Sequence, residues 1–88
     1  MSVRLTRKVR RVITALHTLD KPWGLIICRE TGYGPGTVYP ILEHLVKAGW
    51  AGTRVEDNPA PGRPPRLFYH LTLRGQIAAG LDQEGSTK

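Results

Sequence analysis

Gly34-Pro-Gly-Thr-Val-Tyr-Pro-Ile-Leu-Glu-His-Leu-Val-Lys-Ala-Gly49 reads as one amphipathic helix, and its reading decides the fold. At about 100° per residue, Val38, Ile41, Leu42 and Leu45 fall on one stripe, with Val46 at its edge. The opposite face carries Gly36, Pro40, Glu43, His44 and Lys47, flanked by Thr37 and Tyr39. A proline fits only an early helical position, so Pro40 predicts a helix from about Thr37 to Ala48. Gly49 supplies its C-terminal stop. The outward face is therefore small at its start and ringed with hydrogen-bond donors.

Upstream, Thr31-Gly-Tyr-Gly-Pro-Gly36 is rich enough in Gly and Pro to read as a turn. Before it, Trp23 to Glu30 forms a short helix, apolar on most sides. Leu5, Val9, Val12, Ile13, Leu16 and Leu19 recur at helical spacing and predict a first helix from Thr6, its possible N-cap, to Leu19. Asp20-Lys21-Pro22 ends that helix and opens the next.

Downstream, the period changes to two. Ala51, Thr53 and Val55 alternate with Gly52, Arg54 and Glu56, and alternation resumes from Arg66 to Leu71. The proline-rich segment Asp57 to Pro65 between them lacks ladder donors and must be loop. Thr72 can cap a last helix through about Leu81, burying Leu73, Ile77, Ala78 and Leu81. Asp82 to Lys88 reads as a frayed tail. The expected order is α-α-α-β-β-α: a mainly α fold with a small β-hairpin, one domain over residues 1–81, and a flexible tail over 82–88.

Lys and Arg number 13 against 7 Asp and Glu, giving a net charge of +6 and a pI near 10.1. That surplus suits a polyanionic partner, nucleic acid first. Arg4, Arg7, Lys8, Arg10 and Arg11 crowd the N-terminus, while Arg63 and Arg66 flank the hairpin tip. Cys28 stands alone, which excludes an intramolecular disulfide and fits a reducing cytoplasm. His17, His44 and His70 lack metal-ligand spacing, so no metal or cofactor is expected. The longest apolar run, Trp23 to Cys28, is too short for a bilayer, and no signal-peptide pattern opens the chain. Paired carboxylates and a nucleophile–base pair are absent, and Gly32 to Gly36 lacks the lysine of a nucleotide loop. The chain does not read as an enzyme.

Three helices followed by a hairpin make the winged variant of the helix-turn-helix, in which the third helix enters the major groove of duplex DNA. The text Thr31-Gly-Tyr-Gly-Pro-Gly-Thr-Val-Tyr-Pro-Ile-Leu42, then Leu45 to Gly49, then Gly62-Arg-Pro-Pro-Arg-Leu-Phe-Tyr-His-Leu-Thr-Leu-Arg-Gly75 resembles the PadR family of bacterial transcriptional regulators. The resemblance covers roughly residues 9–81. It implies that Tyr39 turns toward the DNA backbone, that Thr37 is the small polar residue at the helix start, and that Arg63 and Arg66 are the wing cations. It also implies structural roles for Thr72 and Gly75, which cap the last helix and bring it close to the hairpin, and for Trp23 and Gly24 in the core. Members typically continue into a long C-terminal helix that dimerises and helps form an effector pocket. This chain stops at Lys88, so a small-molecule effector is not expected.

The DNA-binding set read from these features is Gly36, Thr37, Tyr39, Pro40, His44 and Lys47 on the helix, Arg63 and Arg66 on the wing, and Arg4 and Arg7 near the N-terminus. Arg63 sits between Gly62 and Pro64 on a loop that cannot enter a core, so it is the foremost wing residue. Arg66 can instead pair with Glu56 across the hairpin, and Arg10 and Arg11 are expected away from the groove. Apolar faces on the first and last helices point to a homodimer. The expected role is a repressor that denies a promoter to polymerase. Two alternatives remain open: an architectural DNA-binding factor of a phage or mobile element, and a winged helix that docks an acidic protein.

Overall fold

The computed structural model describes residues 3–81, so the expected tail from Asp82 onward lies outside them. The elements run α1 (Arg7–Thr18), α2 (Gly24–Thr31), α3 (Pro35–Lys47), β1 (Ala51–Val55), β2 (Leu67–Leu71) and α4 (Leu73–Ala78). That is the α-α-α-β-β-α order expected from periodicity. Thr6 caps α1, its hydroxyl accepting from the Val9 amide at 3.2 Å. The apolar stripes of α1, α2 and α3 converge, and Val12, Ile13, Ile27, Val38, Leu42 and Leu45 are fully buried. Each such side chain contributes roughly 1.5–3 kcal/mol relative to exposure.

Helix α3 begins at Pro35, two residues before the expected start. Pro35 occupies the first helical position, where its missing amide costs nothing. Pro40 consequently lies inside the helix. It has no amide to give to the Gly36 carbonyl, a loss tolerated because both residues are exposed and water can substitute. The Gly-Pro turn is correspondingly shorter than expected, since Pro35 and Gly36 are helical. Gly32, left-handed at φ 81°, ends α2, and its amide donates to the Cys28 carbonyl at 2.8 Å.

The other end of α3 closes by a pair of reverse bonds. The Gly49 amide donates to Val46 O at 3.0 Å, and the Trp50 amide to Leu45 O at 2.9 Å, with Gly49 at φ 80°. Trp50 leads directly into the hairpin, whose antiparallel register runs from Ala51 opposite Leu71 to Val55 opposite Leu67. Thr72 then closes the base: its amide donates to Trp50 O, and its hydroxyl donates to Gly49 O at 2.7 Å while accepting from the Gly75 amide.

Helix α4 is shorter than expected, and its packing differs. Gly75 is its buried residue, set against the backbone of Trp50. Leu73 and Ile77 are 68% and 51% exposed, and Ala78 is exposed too. Of the four residues expected inside, only Leu81 packs partly against the core. The reason is geometric: the helix approaches through its side-chain-free position, which turns the apolar residues on either side of Gly75 outward.

A Cβ at Gly75 would collide with the carbonyl of Trp50, which is backbone and cannot swing aside. Gly75→Ala should therefore lower stability by about 1–3 kcal/mol. Gly36→Ala meets nothing within 4 Å and should leave stability unchanged or raise it by about 0.4–1 kcal/mol. Thermal unfolding followed by circular dichroism checks both, and equal midpoints for the two variants would contradict this account of the hairpin base.

Candidate nucleic-acid interface

The outward side of α3 remains uncovered among the described residues. Gly36, Pro40, His44 and Lys47 are exposed, Thr37 is half-buried, and Tyr39 is 41% exposed. No Cβ placed at Gly36 would touch anything, so this end of the rod is bare backbone. Lys47 Nζ lies 3.5 Å from Glu43 Oε2, one helical turn away. The pair is exposed on both sides, so it adds little stability but offsets the acidic charge of Glu43 on this face.

Two sets of contacts order the wing, one against the helical part and one within its own tip. The first involves Pro22-Trp23-Gly24. The Tyr69 amide donates to Pro22 O at 2.8 Å, and Trp23 forms an isolated antiparallel bridge with Phe68. The Arg66 guanidinium stacks over the Trp23 ring, 4.1 Å from its centroid, a cation–π contact. This buries Arg66 Nε with no hydrogen-bond partner. Trp23, expected in the core, is half-buried and serves as a platform for the wing.

The second set lies within the wing tip itself. Glu56, where β1 ends, donates its amide to Arg66 O at 2.8 Å, and its carboxylate accepts from the Arg66 amide at 3.0 Å. Arg63 folds back onto the same carboxylate through two parallel bonds, Nη1 to Oε1 at 3.0 Å and Nη2 to Oε2 at 3.2 Å. The bidentate fit matches the planar geometries of guanidinium and carboxylate. The partner of Glu56 is thus Arg63 and not, as expected, the side chain of Arg66. Arg63 is only partly exposed and already partnered, so it is not the free tip cation that its flanking Gly and Pro suggested.

These contacts leave a groove of about 440 Å³ between the wing and the start of α2. Tyr39, Tyr69, Arg63, Arg66 and Gly24 line it, so one helix residue and both wing cations from the sequence reading share a single concavity. Burial, with Tyr39 and Glu43 nearby, pushes the Tyr69 phenol above its ordinary value and keeps it a hydrogen-bond donor. The N-terminal cations lie elsewhere. Arg7, Arg10 and Arg11 line a separate groove beside Glu30 and Thr31, so Arg7 does not part from its two neighbours as expected. Arg11 Nη1 donates to Thr31 O at 3.2 Å, tying α1 to the last residue of α2. Arg4 is exposed. Among the described residues there is no cluster of His, Cys, Asp or Glu fit to hold a metal, and no helix long and apolar enough to cross a membrane.

Sequence reading missed Glu56 as the organiser of the tip and Gly24 as part of the groove. The Arg63 guanidinium foremost, and the Arg66 amide, hold the Glu56 carboxyl below its ordinary value. A carboxylate depressed in the folded state stabilises it above the unfolded value near 4.5, and that stabilisation fades as pH falls through the lower folded value. The tip should therefore stay closed from neutral pH down to the ordinary carboxylate range and loosen only below it. Amide exchange at Arg66 reads this directly: slow at pH 5 to 7 in the native chain, and accelerated across that range in Glu56→Ala. Unchanged exchange in the variant would show that the carboxylate does not close the tip.

The profile of the PadR-like family of transcriptional regulators matches residues 27–80, more than half of the chain. Among solved structures, a PadR-like transcription factor from Bacteroides fragilis superposes with a TM-score of 0.68 at 25% identity, covering 91% of this chain and 82% of that one. A protein from Streptococcus mutans UA159 gives 0.67 at 28% identity, with 98% and 84% covered. The PcaV transcriptional regulator from Streptomyces coelicolor shares the fold, with a TM-score of 0.73 at 19% identity over 97% of this chain and 58% of that one. No curated protein matches the chain. With its winged helix-turn-helix architecture and this match across helix and wing, the chain belongs to the PadR-like family of DNA-binding transcriptional regulators.

Proposed function

We propose that this regulator is a repressor that grips duplex DNA with the first half of α3 in the major groove and the wing against the flanking backbone. The observation that carries the reading is the bare outward side of α3 beside a groove lined by Tyr39, Arg63 and Arg66. Gly36 and Pro40 keep the approaching face shallow. Thr37 offers a donor to base edges, Tyr39 offers a hydroxyl to a phosphate, and His44 and Lys47 reach phosphates from the far end of the helix. Arg66, held flat on Trp23, presents a guanidinium whose rotamer entropy is already spent. Arg63 adds a second cation once a phosphate competes with Glu56 for it. Arg4 and Arg7 extend phosphate contacts beyond this groove.

A single winged helix makes few phosphate contacts, so a homodimer reading two half-sites supplies the affinity a regulator needs. The exposed Leu73 and Ile77 on α4 support that assembly, since an apolar pair left in water favours a partner. Occupying a promoter in the cytoplasm would then exclude polymerase.

Selection of bound duplexes from a random pool by the purified protein, followed by anisotropy titration, tests the reading. Binding should weaken steeply between 50 and 200 mM salt, with a log–log slope of roughly −0.9 per phosphate contacted, or about half a logarithm per phosphate over that range. Tyr39→Phe should lose at least about tenfold in affinity, as expected for one hydrogen bond to a charged phosphate at about 1.5–3 kcal/mol. Selected sites should carry two half-sites about one helical turn apart, and sedimentation should give a dimer. Native affinity in both Tyr39→Phe and Arg66→Ala would remove the groove from the interface. A monomer bound to unpaired sites would remove the dimer.

A further inference from the structure

Gly24 is the first residue of α2, yet nothing in its own backbone calls for glycine. Its φ is not positive, and the helix it opens would be better served by a residue with a Cβ. Trp23, the N-cap, offers no side-chain bond to that end either. What occupies the missing Cβ's place is the ring of Tyr39: a Cβ built on Gly24 would overlap the Tyr39 hydroxyl oxygen and the ring carbons next to it. Gly24 is buried while Tyr39 remains 41% exposed, so the tyrosine lies against the first turn of α2 and still reaches solvent. Both residues line the groove that Arg63 and Arg66 share.

We propose that Gly24 is a positioning residue for DNA binding: its lack of a side chain is the seat that fixes the Tyr39 hydroxyl in the groove beside the two wing arginines. This rests on the reading of Tyr39 as a backbone contact, and it adds a residue that touches no DNA. A tyrosine on an exposed helix face ordinarily samples several rotamers, and immobilising it on binding costs affinity. Seated on Gly24, the ring is confined before DNA arrives, and its hydroxyl keeps a fixed relation to Arg66, which Trp23 holds one residue earlier in the chain. Any side chain at position 24 displaces the ring, because the obstruction involves the hydroxyl and the ring carbons beside it.

A double-mutant cycle on the full chain tests this, using a duplex selected as above. Gly24→Ala should weaken binding about tenfold, and Tyr39→Ala by at least as much. Gly24→Ala added to Tyr39→Ala should change affinity less than twofold, because the ring it would displace is gone. The same double variant should melt no lower than Tyr39→Ala alone, which keeps the comparison usable if Gly24→Ala by itself folds poorly. Equal losses from Gly24→Ala in both backgrounds, or native affinity in Gly24→Ala when Tyr39→Ala is impaired, would overturn the proposal. Nuclear Overhauser contacts between the Tyr39 ring and the Gly24 α-protons separate the two claims without DNA. Their absence in the native chain overturns the seat, whereas their presence together with native binding by Tyr39→Ala overturns the DNA role of Tyr39 and, with it, the positioning role.

Discussion

The strut formed by Pro22, Trp23 and Gly24 is the constraint on which the interface depends. It has almost no secondary structure of its own, yet both elements proposed to face DNA are referred to it. The wing is tied through the Tyr69 amide on Pro22 O, the Phe68 bridge and the Arg66 stack on Trp23. Helix α3 is tied through the Tyr39 ring on Gly24. Two-stranded hairpins are marginal in water without packing against something else. Here that support is a third extended segment on one side and the Gly49–Thr72–Gly75 closure at the base.

Charge is distributed less simply than the +6 total suggests. The wing tip spends one arginine on internal order: Arg63 and Glu56 close a loop whose prolines cannot contribute ladder bonds. Arg11 is spent similarly, on the carbonyl of Thr31 at the end of α2. Part of the basic surplus thus shapes the surface that the remaining cations present. Arg66 does both, because the stacking that fixes it also leaves its planar guanidinium at the edge of the groove.

The elements of the fold were legible because their signals are local. The apolar stripes of α1 and α3, the αL glycine at position 49, the caps at Thr6 and Thr72 and the proline-interrupted hairpin each follow from residues within a few positions of one another. The misreadings share a cause of the opposite kind. Pro40 read as an early-helix residue predicts a start at Thr37, although a solvated outer face tolerates a proline further in. Residue type alone predicts the apolar residues of α4 in the core, whereas contact through Gly75 rotates them away. The pairing of Glu56 with Arg63 depends on the path of an irregular loop, and the Gly24–Tyr39 contact joins two helices, so neither has a periodic signature. The groove's chemistry was readable in Tyr39, Arg63 and Arg66, but not the way those side chains are held.

Pro40 carries a consequence for hydration. Because a proline nitrogen bears no hydrogen, the carbonyl oxygen of Gly36 loses its i+4 donor on the exposed side of α3. In the free protein, solvent must satisfy that oxygen. Any surface that closes over it has to bring a donor of its own or trap a bridging water, since sealing it dry would leave an orphaned acceptor at a cost of about 1–3 kcal/mol. A main-chain acceptor of this kind survives every side-chain substitution at position 36 that preserves the helix.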